Sequence, residues 1–479
     1  MYYPVLTSQE MKRIEQLAIQ DGCSEEAFML VAGQKVGIAA LEFLENVPKK
    51  VVLLIGKGNK GGDAFVAGLY LLEKGVQVHA VTLFAANTCS PLNQKFRERF
   101  LKKGGSCLSD FFFGDASLII DGLFGTGFQG IIDGKIAELI QLANNSALPM
   151  ISIDIPSGLD GTTGDVRGEA IKADMTVALG CYKSGFFLNS GWNHVGNIRF
   201  EEFGLPQKYL DQAELVARIP RTISLPPIIR NRHKYQAGYV VGFSGSKVLK
   251  GAPKLAGLSA LRSGAGIVRI FHLEEIGETP FSLICQKWNL PSWKKECQRA
   301  GSLFLGPGIG KSAKILQFLK KEVKKILWPI VVDADAIQSN IQYPKNALVT
   351  PHHGEAMRLF GVKKERELFA YAQKWVDRTE CILVLKGAPT WIYSAKTAPI
   401  IIPFGDPGMA KAGTGDVLTG ILSALLAQKM DPLQAAIVGC SLHAIAGEIA
   451  AQDKTSYSMM AEDIINNIPL AIQIIDRGI

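Results

Sequence analysis

The sequence predicts two α/β units in series, each built on a parallel sheet. Three observations carry that reading. A short, wholly apolar run at 51–55 and further strand-like runs at 76–84 and 149–154 alternate with helical periodicity through the first half. Such runs mark strands buried on both faces, and the alternation places helices over both sides of the sheet. The same alternation restarts at 238, after a stretch at 203–235 where Pro206, Pro220, Pro226 and Pro227 lie among charges and no periodic run survives; this reads as a linker. Finally, glycine-rich loops follow strands and open helices in both halves, at the sheet edge where α/β proteins hold ligands.

Taken in order, residues 7–44 read as one helical region, with Ile14, Leu17, Ala18, Phe28, Leu30, Val36, Ala39 and Phe43 in its apolar pattern. The strand at 51–55 runs into GKGNKGGD (56–63) and a helix at 64–72. A strand at 76–84, a helix near 91–102, a strand at 117–121, a helix at 131–143 and a strand at 149–154 follow. Asp121 and Asp154 each fall at a strand end. The second half opens with a strand at 238–243, a glycine-studded helix at 255–261 and a strand at 267–273. A strand at 302–305 ends in GPGIG (306–310), and a helix at 313–326 leads to VVDAD (331–335). Strands at 347–349 and 381–385 lead into TPHHGE (350–355) and KGAPT (386–390). The loop GDPGMAKAGTGD (405–416) opens a buried helix, and helices at 432–451 and 461–475 close the chain. The halves share a class but no alignable repeat.

Composition narrows the function. At 479 residues the chain exceeds one ordinary core. With 47% hydrophobic and 20% charged residues it is globular. No uninterrupted apolar run has membrane-spanning length and no basic-headed leader opens the chain, so no membrane partner and a cytoplasmic location are expected. The 8 cysteines are scattered without a C-x-x-C pair or a Cys/His cluster, which fits a reducing compartment and disfavours structural zinc. The net charge of +8 is mild, and no Lys/Arg block is interleaved with aromatics, which disfavours nucleic acid.

Several loops carry chemistry. Gly413-Thr414-Gly415 opens straight into an apolar helix, whose unpaired amides and positive dipole end form an anion site. Asp416, in the first turn, either complements the dipole or acts as a base beside a bound phosphoryl group. Lys386 directly follows a buried strand, where it faces solvent or neutralises phosphate. Asp333 and Asp335 either cap the next helix or hold magnesium through water. His352 and His353 lack metal-ligand spacing with any cysteine. In the first half, Gly56, Gly58 and Gly61 spell G-x-G-x-x-G, but the acid expected about twenty residues on is missing, since the next strand ends Leu83-Phe84-Ala85-Ala86. A redox dinucleotide domain is therefore disfavoured. Instead Asn59, Lys60 and Asp63, with Asp121, Asp154 and Ser157, gather oxygen ligands and an ionisable group at one sheet edge. That set suits a hard cation or a polar substrate. DGLFGTGFQG (121–130) is a second glycine loop, read as a flexible turn or as close backbone approach to phosphate or ribose.

As an ordered set, GKGNKGGD, DGLFGTGF, DIPSGLDG (154–161) and Lys183, then GAPKLAGLSALRSGAG (251–266), GPGIG, VVDADAI, TPHHGE, KGAPT and AGTGDVLTG, resemble the bifunctional NAD(P)H-hydrate repair enzymes. The resemblance spans almost the whole length. It implies a Rossmann-like three-layer epimerase domain over 1–215 and a ribokinase-like α/β dehydratase domain over 225–479. On the epimerase side it implies that Asn59, Lys60, Gly61, Gly62 and Asp63 hold the hydrated nucleotide, with Gly125, Thr126, Gly127, Phe128, Gln129, Gly130 and Ile131 opposite and Asp154 in direct contact. A potassium ion would fall to positions 60, 121 and 157. On the dehydratase side it implies that Ala252, Gly308, His352 and Asp416 hold the hydrate. Lys386, Gly387, Ala388, Pro389, Thr390 and Gly415 would hold ADP or ATP with Mg2+.

The sequence departs from the family's pattern in three places. Lys60 stands where the family has Asn, and either its ammonium replaces potassium beside Asp121 or the epimerase half is impaired. Met29-Leu30-Val31-Ala32-Gly33 replaces an M-E-N-A-G run. Lys411-Ala412 replaces a Thr-Gly pair, adding a cation that either tightens phosphate binding or faces solvent.

The implied chemistry has Asp416 accept the hydroxyl proton of the hydrate while that oxygen attacks the terminal phosphoryl of the nucleotide, so that phosphate leaves in place of hydroxide. Asp154 would be the centre of acid/base epimerisation. The alternative is a ribokinase-like small-molecule kinase with a non-catalytic N-terminal ligand-binding domain. The expected partners are NADHX or NADPHX and an adenine nucleotide, in a homo-oligomer.

Overall fold

The computed structural model describes residues 2–44, 50–109, 113–127 and 130–478. It divides into two compact units, residues 3–217 and residues 1–2 with 218–479. The division falls inside the stretch read as a linker. That stretch carries a short helix, Gln207–Leu210, and a strand, Ala217–Pro220; elements of four residues are too short to show a period.

The N-terminal unit holds a seven-stranded parallel sheet. Its order is Ser106–Leu108, Gln77–Thr82, Lys50–Ile55, Leu118–Gly122, Met150–Ile153, Met175–Leu179, Asn197–Glu201. The central strand explains the uniform apolar run. Val51, Leu53 and Ile55 enter one cluster with Phe65 and Phe100, while Val52 and Leu54 enter another with Leu139 and Ile140 of helix Gly134–Asn145. Helices therefore cover both faces, as expected. Strands Met175–Leu179 and Asn197–Glu201 escaped the sequence reading.

The long helical region is broken into Ser8–Gln20 and Glu25–Phe43. The Thr7 hydroxyl caps the first by accepting from the Glu10 amide. Gly22, at φ 98°, ends that helix, and the Ser24 hydroxyl caps the second. A strand, Tyr2–Leu6, precedes them, and Val5 and Leu6 pair with Tyr182 and Lys183.

From Lys50–Ile55 the chain steps outward to one edge, returns to Leu118–Gly122 on the other side and moves out to the opposite edge. Strand order thus reverses between these two strands, which opens a crevice at their carboxyl ends. The Gly56 amide donates to Gly122 O at 3.0 Å, and a Cβ on Gly56 would lie 1.7 Å from Leu123 O. Glycine lets the two loops meet there.

In the C-terminal unit the parallel strands run Ile284–Lys287, Ile267–His272, Tyr239–Phe243, Ser302–Leu305, Ile330–Val332, Leu348–Val349, Ile382–Leu385. Antiparallel strands Thr390–Tyr393 and Ile400–Ile402 extend the sheet. Helix Thr414–Ala427 is buried from Val417 onward. It packs on helix Ala252–Arg262, where a Cβ on Gly420 would lie 2.0 Å from Ala256 O. Among the described residues one helix, Pro432–Lys454, has the length and hydropathy of a membrane span, and 72% of its apolar window is buried in the fold.

Candidate functional site

The crevice at the strand reversal holds a cavity of about 720 Å³. Asn59, Lys60, Asp63, Gly125, Thr126, Gly127 and Asp154 line it, contributed by three strand-end loops. Gly61 and Gly62 serve packing instead. Their added Cβ atoms would lie 2.3 Å from Gly56 O and 2.6 Å from Met29 Sδ, so they let helix Asn59–Glu73 sit close beneath the loop. The Met29 side chain, in the departed M-L-V-A-G run, thus fills space beside the loop. Gly130 and Ile131 lie off the cavity, with Ile131 71% exposed. Phe128 and Gln129 lie outside the described residues.

Asp154 follows strand Met150–Ile153 with φ at 63°, a conformation L residues rarely hold. Its Oδ1 accepts from the Lys183 ammonium and from the Leu179 amide at 3.1 Å, and its Oδ2 lies 3.6 Å from Lys60 Nζ. Burial raises the pKa of this carboxyl, but the two ammonium groups outweigh that and hold it below the usual range. Asp63 differs. Burial pushes its carboxyl well above the ordinary value, with Lys60 opposing. Glu15, on helix Ser8–Gln20, also lines the cavity, and burial followed by the Asp154 charge raises it. Nothing in its local sequence separates Glu15 from a surface glutamate.

Lys60 and Asp121 are not placed as expected. The Lys60 ammonium donates to Ile153 O, and its nearest carboxylate is Asp154. Asp121 is occupied by other donors. Its Oδ1 accepts from the Ser157 hydroxyl at 2.5 Å and the Leu123 amide at 3.2 Å. Its Oδ2 accepts from the Ser152 hydroxyl and the Ser157 amide, both at 2.8 Å. Lysine is longer than the asparagine it replaces and carries its charge past Asp121 to Asp154.

In the C-terminal unit, Gly413 takes φ 97° and turns the loop into helix Thr414–Ala427, with Asp416 in its first turn. The Lys386 ammonium donates to Asp333 Oδ1 at 2.7 Å, and a Cβ on Gly415 would stand 3.1 Å from Lys386 Nζ. The lysine therefore lies against the amide-rich turn. Asp333 is buried and also accepts from Thr350 Oγ1 at 2.8 Å and Thr419 Oγ1 at 2.9 Å. Its side chain therefore does not cap the following turn; it fixes Lys386. Asp335 accepts from the Gly310 amide at 3.0 Å. Among the described residues no group of three or more His, Cys, Asp or Glu could hold a metal ion.

Burial, and then the Asp333 charge, push the Asp416 carboxyl up to about 7, with Lys386 opposing. A carboxylate poised near neutral pH at a helix N-terminus has the setting of a general base next to an anion.

The other expected residues gather in adjoining pairs. A Cβ on Gly308 would lie 3.1 Å from Ala252 Cβ. His352 pairs along the backbone with Lys386 and caps helix His353–Phe360, its Nδ1 accepting from the Gly354 amide at 3.0 Å. Residues 386–390 follow strand Ile382–Leu385, and a Cβ on Gly387 would stand 2.9 Å from His353 Nε2. Lys411 is held by the fold and does not simply face solvent. Its ammonium donates to Tyr457 O and Met459 O, each at 2.6 Å, and ties the loop to the next turn. His443 escaped the sequence reading. It bonds the Thr414 backbone, burial lowers its pKa to about 4, and its buried Nε2 has no partner among the described residues.

Comparison with known proteins follows the same division. A family model described as NAD(P)H-hydrate dehydratase matches residues 240–470, and one described as YjeF-related protein N-terminus matches residues 25–185. The chain is 33% identical over 439 residues to a bifunctional NAD(P)H-hydrate repair enzyme of Escherichia coli, covering 87% of this chain and 84% of that one. It is 29% identical over 522 residues to the enzyme of the same description from Moorella thermoacetica, covering 99% and 98%. Among solved structures, an ADP/ATP-dependent NAD(P)H-hydrate dehydratase from Bacillus subtilis, co-crystallized with ATP/Mg2+, is 28% identical. That alignment covers 52% of this chain and 94% of the other, with a TM-score of 0.47.

Proposed function

The chain belongs to the family of bifunctional NAD(P)H-hydrate repair enzymes, and from that premise we propose how its two sites divide the work. The protein is an enzyme of nicotinamide nucleotide repair. Its N-terminal unit interconverts the R and S hydrates, and its C-terminal unit dehydrates the S hydrate at the expense of an adenine nucleotide.

In the C-terminal site, Asp416 takes the proton of the ring hydroxyl as that oxygen attacks the terminal phosphoryl of ADP or ATP. The new bond joins the ring oxygen to phosphorus, and the bond broken is that to the leaving nucleotide. The Gly413–Gly415 turn and Lys386 stabilise the charge on the transferring group. Phosphate then departs as a neighbouring ring proton is lost, which restores the double bond. Hydroxide is a poor leaving group and phosphate a good one, which is the reason to spend a nucleotide. With Asp333 engaged, magnesium enters with the nucleotide phosphates instead of occupying a cage of side chains. His352, Ala252 and Gly308 face the hydrate, and residues 386–390 face the nucleotide.

In the N-terminal cavity, one carboxyl is held ionised at Asp154 and another is pushed toward its neutral form at Asp63. Titratable groups driven apart in one cavity mark an acid and a charge-stabilising partner. Asp63 delivers and recovers a proton, and Asp154 with Lys183 orients and stabilises the ring. We assign the protein to the cytoplasm as a homo-oligomer, which sedimentation and fractionation test.

The observation that carries this reading is Asp416, poised near neutral pH against the Gly413–Gly415 turn and beside a buried Asp333–Lys386 pair. Synthetic hydrate mixed with ADP or with ATP tests it. Recovery of nicotinamide absorbance with release of inorganic phosphate is the expected result. A stable phosphorylated product with no absorbance recovery would indicate a kinase.

A further inference from the structure

We infer that the N-terminal site carries its cation as the Lys60 ammonium, aimed at the substrate-contacting Asp154, and takes no potassium ion. The inference rests on the reading of this cavity as the epimerase site. It begins from the residues that would have to hold the ion. Asp121 accepts four hydrogen bonds, two on each oxygen, from Ser152, Ser157 and Leu123. The Ser157 hydroxyl, besides donating to Asp121, accepts from the Phe124 amide at 2.9 Å. Both oxygens of Asp121 are thus filled, two of the four bonds coming from Ser157, and the third position carries a positive charge. A set of donors this occupied does not suit a hard cation, which needs several free oxygens.

Lys60 shows what replaces the ion. It is 9% exposed, its ammonium bonds Ile153 O, and Asp154 Oδ2 stands 3.6 Å away. A Cβ on Gly125 would lie 2.6 Å from Lys60 Cε and 3.4 Å from Nζ, so the second glycine loop leaves room for this side chain. Lys60 also sits in the first turn of helix Asn59–Glu73, where the dipole repels a cation and burial strips its water. Two opposing effects act on one charge, and only the negative groups of the cavity offset them.

Asp154 is then flanked by two ammonium groups, Lys60 and Lys183. A potassium ion bound beside both would add a third positive charge. The lysine also differs from an ion in direction, because it puts its charge on Ile153 O and Asp154 and leaves Asp121 to brace the Ser157 loop. A tethered cation cannot dissociate, so Asp154 keeps its charge whatever the salt.

Two measurements on the full chain test this. The first is thermal melting in chlorides of potassium, sodium and tetramethylammonium at equal ionic strength. The second is isomer interconversion, followed by separating R and S hydrates with no nucleotide present. For the natural chain we expect equal melting temperatures and rates within about twofold across the three salts. A potassium-specific rise in melting temperature, or an interconversion rate more than about tenfold faster in potassium, would overturn the inference. Lys60→Asn should lose interconversion at low potassium and gain a potassium-specific melting shift. Lys60→Met, similar in length but uncharged, should lose interconversion in every salt; full activity in it would overturn the role of the charge. A natural chain that interconverts nothing in any salt counts against the epimerase reading itself, and the melting comparison still decides whether potassium binds.

Discussion

The pH dependence of dehydration should follow one carboxyl, and the buried aspartate behind it should set where the transition falls. Asp416 is pushed up to about 7 by burial and by Asp333, against the pull of Lys386. If it is the base, the rate follows its ionised fraction. That fraction is roughly a tenth at about pH 6, half near pH 7 and nearly complete above about pH 8. The value of kcat/KM should therefore rise about tenfold from pH 6 to its plateau. Asp333→Asn removes the like charge. It also releases the Lys386 ammonium, bonded at 2.7 Å, to turn toward Asp416. Both changes favour the ionised form, so the midpoint should fall by about one unit or more, which corresponds to about 1.4 kcal/mol or more of differential interaction. A carboxylate with a lower pKa is also a weaker base, so the plateau should fall as the midpoint moves. The assay is recovery of nicotinamide absorbance from synthetic hydrate at saturating nucleotide, scanned across pH for both proteins. A natural-chain midpoint near 4, or an unchanged midpoint in Asp333→Asn, would refute the assignment.

Three further changes probe the same unit. Asp416→Asn should cut turnover by about a hundred to ten-thousand-fold while adenine nucleotide still binds by calorimetry. Its stability should show the linked effect. The folded carboxyl binds a proton up to about 7, whereas its ordinary value is 3.8, so the natural chain loses stability as pH rises between those values and the Asn variant does not. Melting temperatures of the two should therefore diverge in favour of Asn as pH rises from about 4 to about 7, with the difference constant above that. Lys386→Met removes the charge we propose for the nucleotide phosphate and leaves Asp333 buried without its cation, so chemical denaturation should show a loss of about 3 kcal/mol or more together with weakened nucleotide binding. Gly420→Ala places a methyl 2.0 Å from Ala256 O between two packed helices and should cost about 1–3 kcal/mol in the same measurement.

How much of this was legible in the sequence depended on whether the partners of a residue are near it in the chain. Strand ends, glycine loops and the Asp416 turn are local signals, since a short apolar run and the residue types after it specify each one. The crevice lines up because Gly56 and Gly122 sit at the ends of neighbouring strands, and both strands could be read. Glu15 and Thr419 are different. Each is an ordinary residue in its own segment and acquires meaning only across the fold, Glu15 in the cavity beside Asp154 and Thr419 at Asp333. The same limit explains the misplacement of Lys60. Its position in the loop was clear from the motif, but the reach of its side chain was not, and four carbons carry the charge beyond Asp121 to Asp154. The capping reading of Asp333 fails for a related reason. A strand-end aspartate looks like a cap for the next turn until the buried lysine of another strand end, Lys386, is found against it. Local sequence therefore locates where charge is concentrated in this protein, while the pairing of those charges follows from the strand order. The chemistry of both sites depends on that pairing: one carboxylate made permanent by two ammonium groups at Asp154, and another left poised near neutral pH at Asp416 because its nearest cation, Lys386, is shared with Asp333.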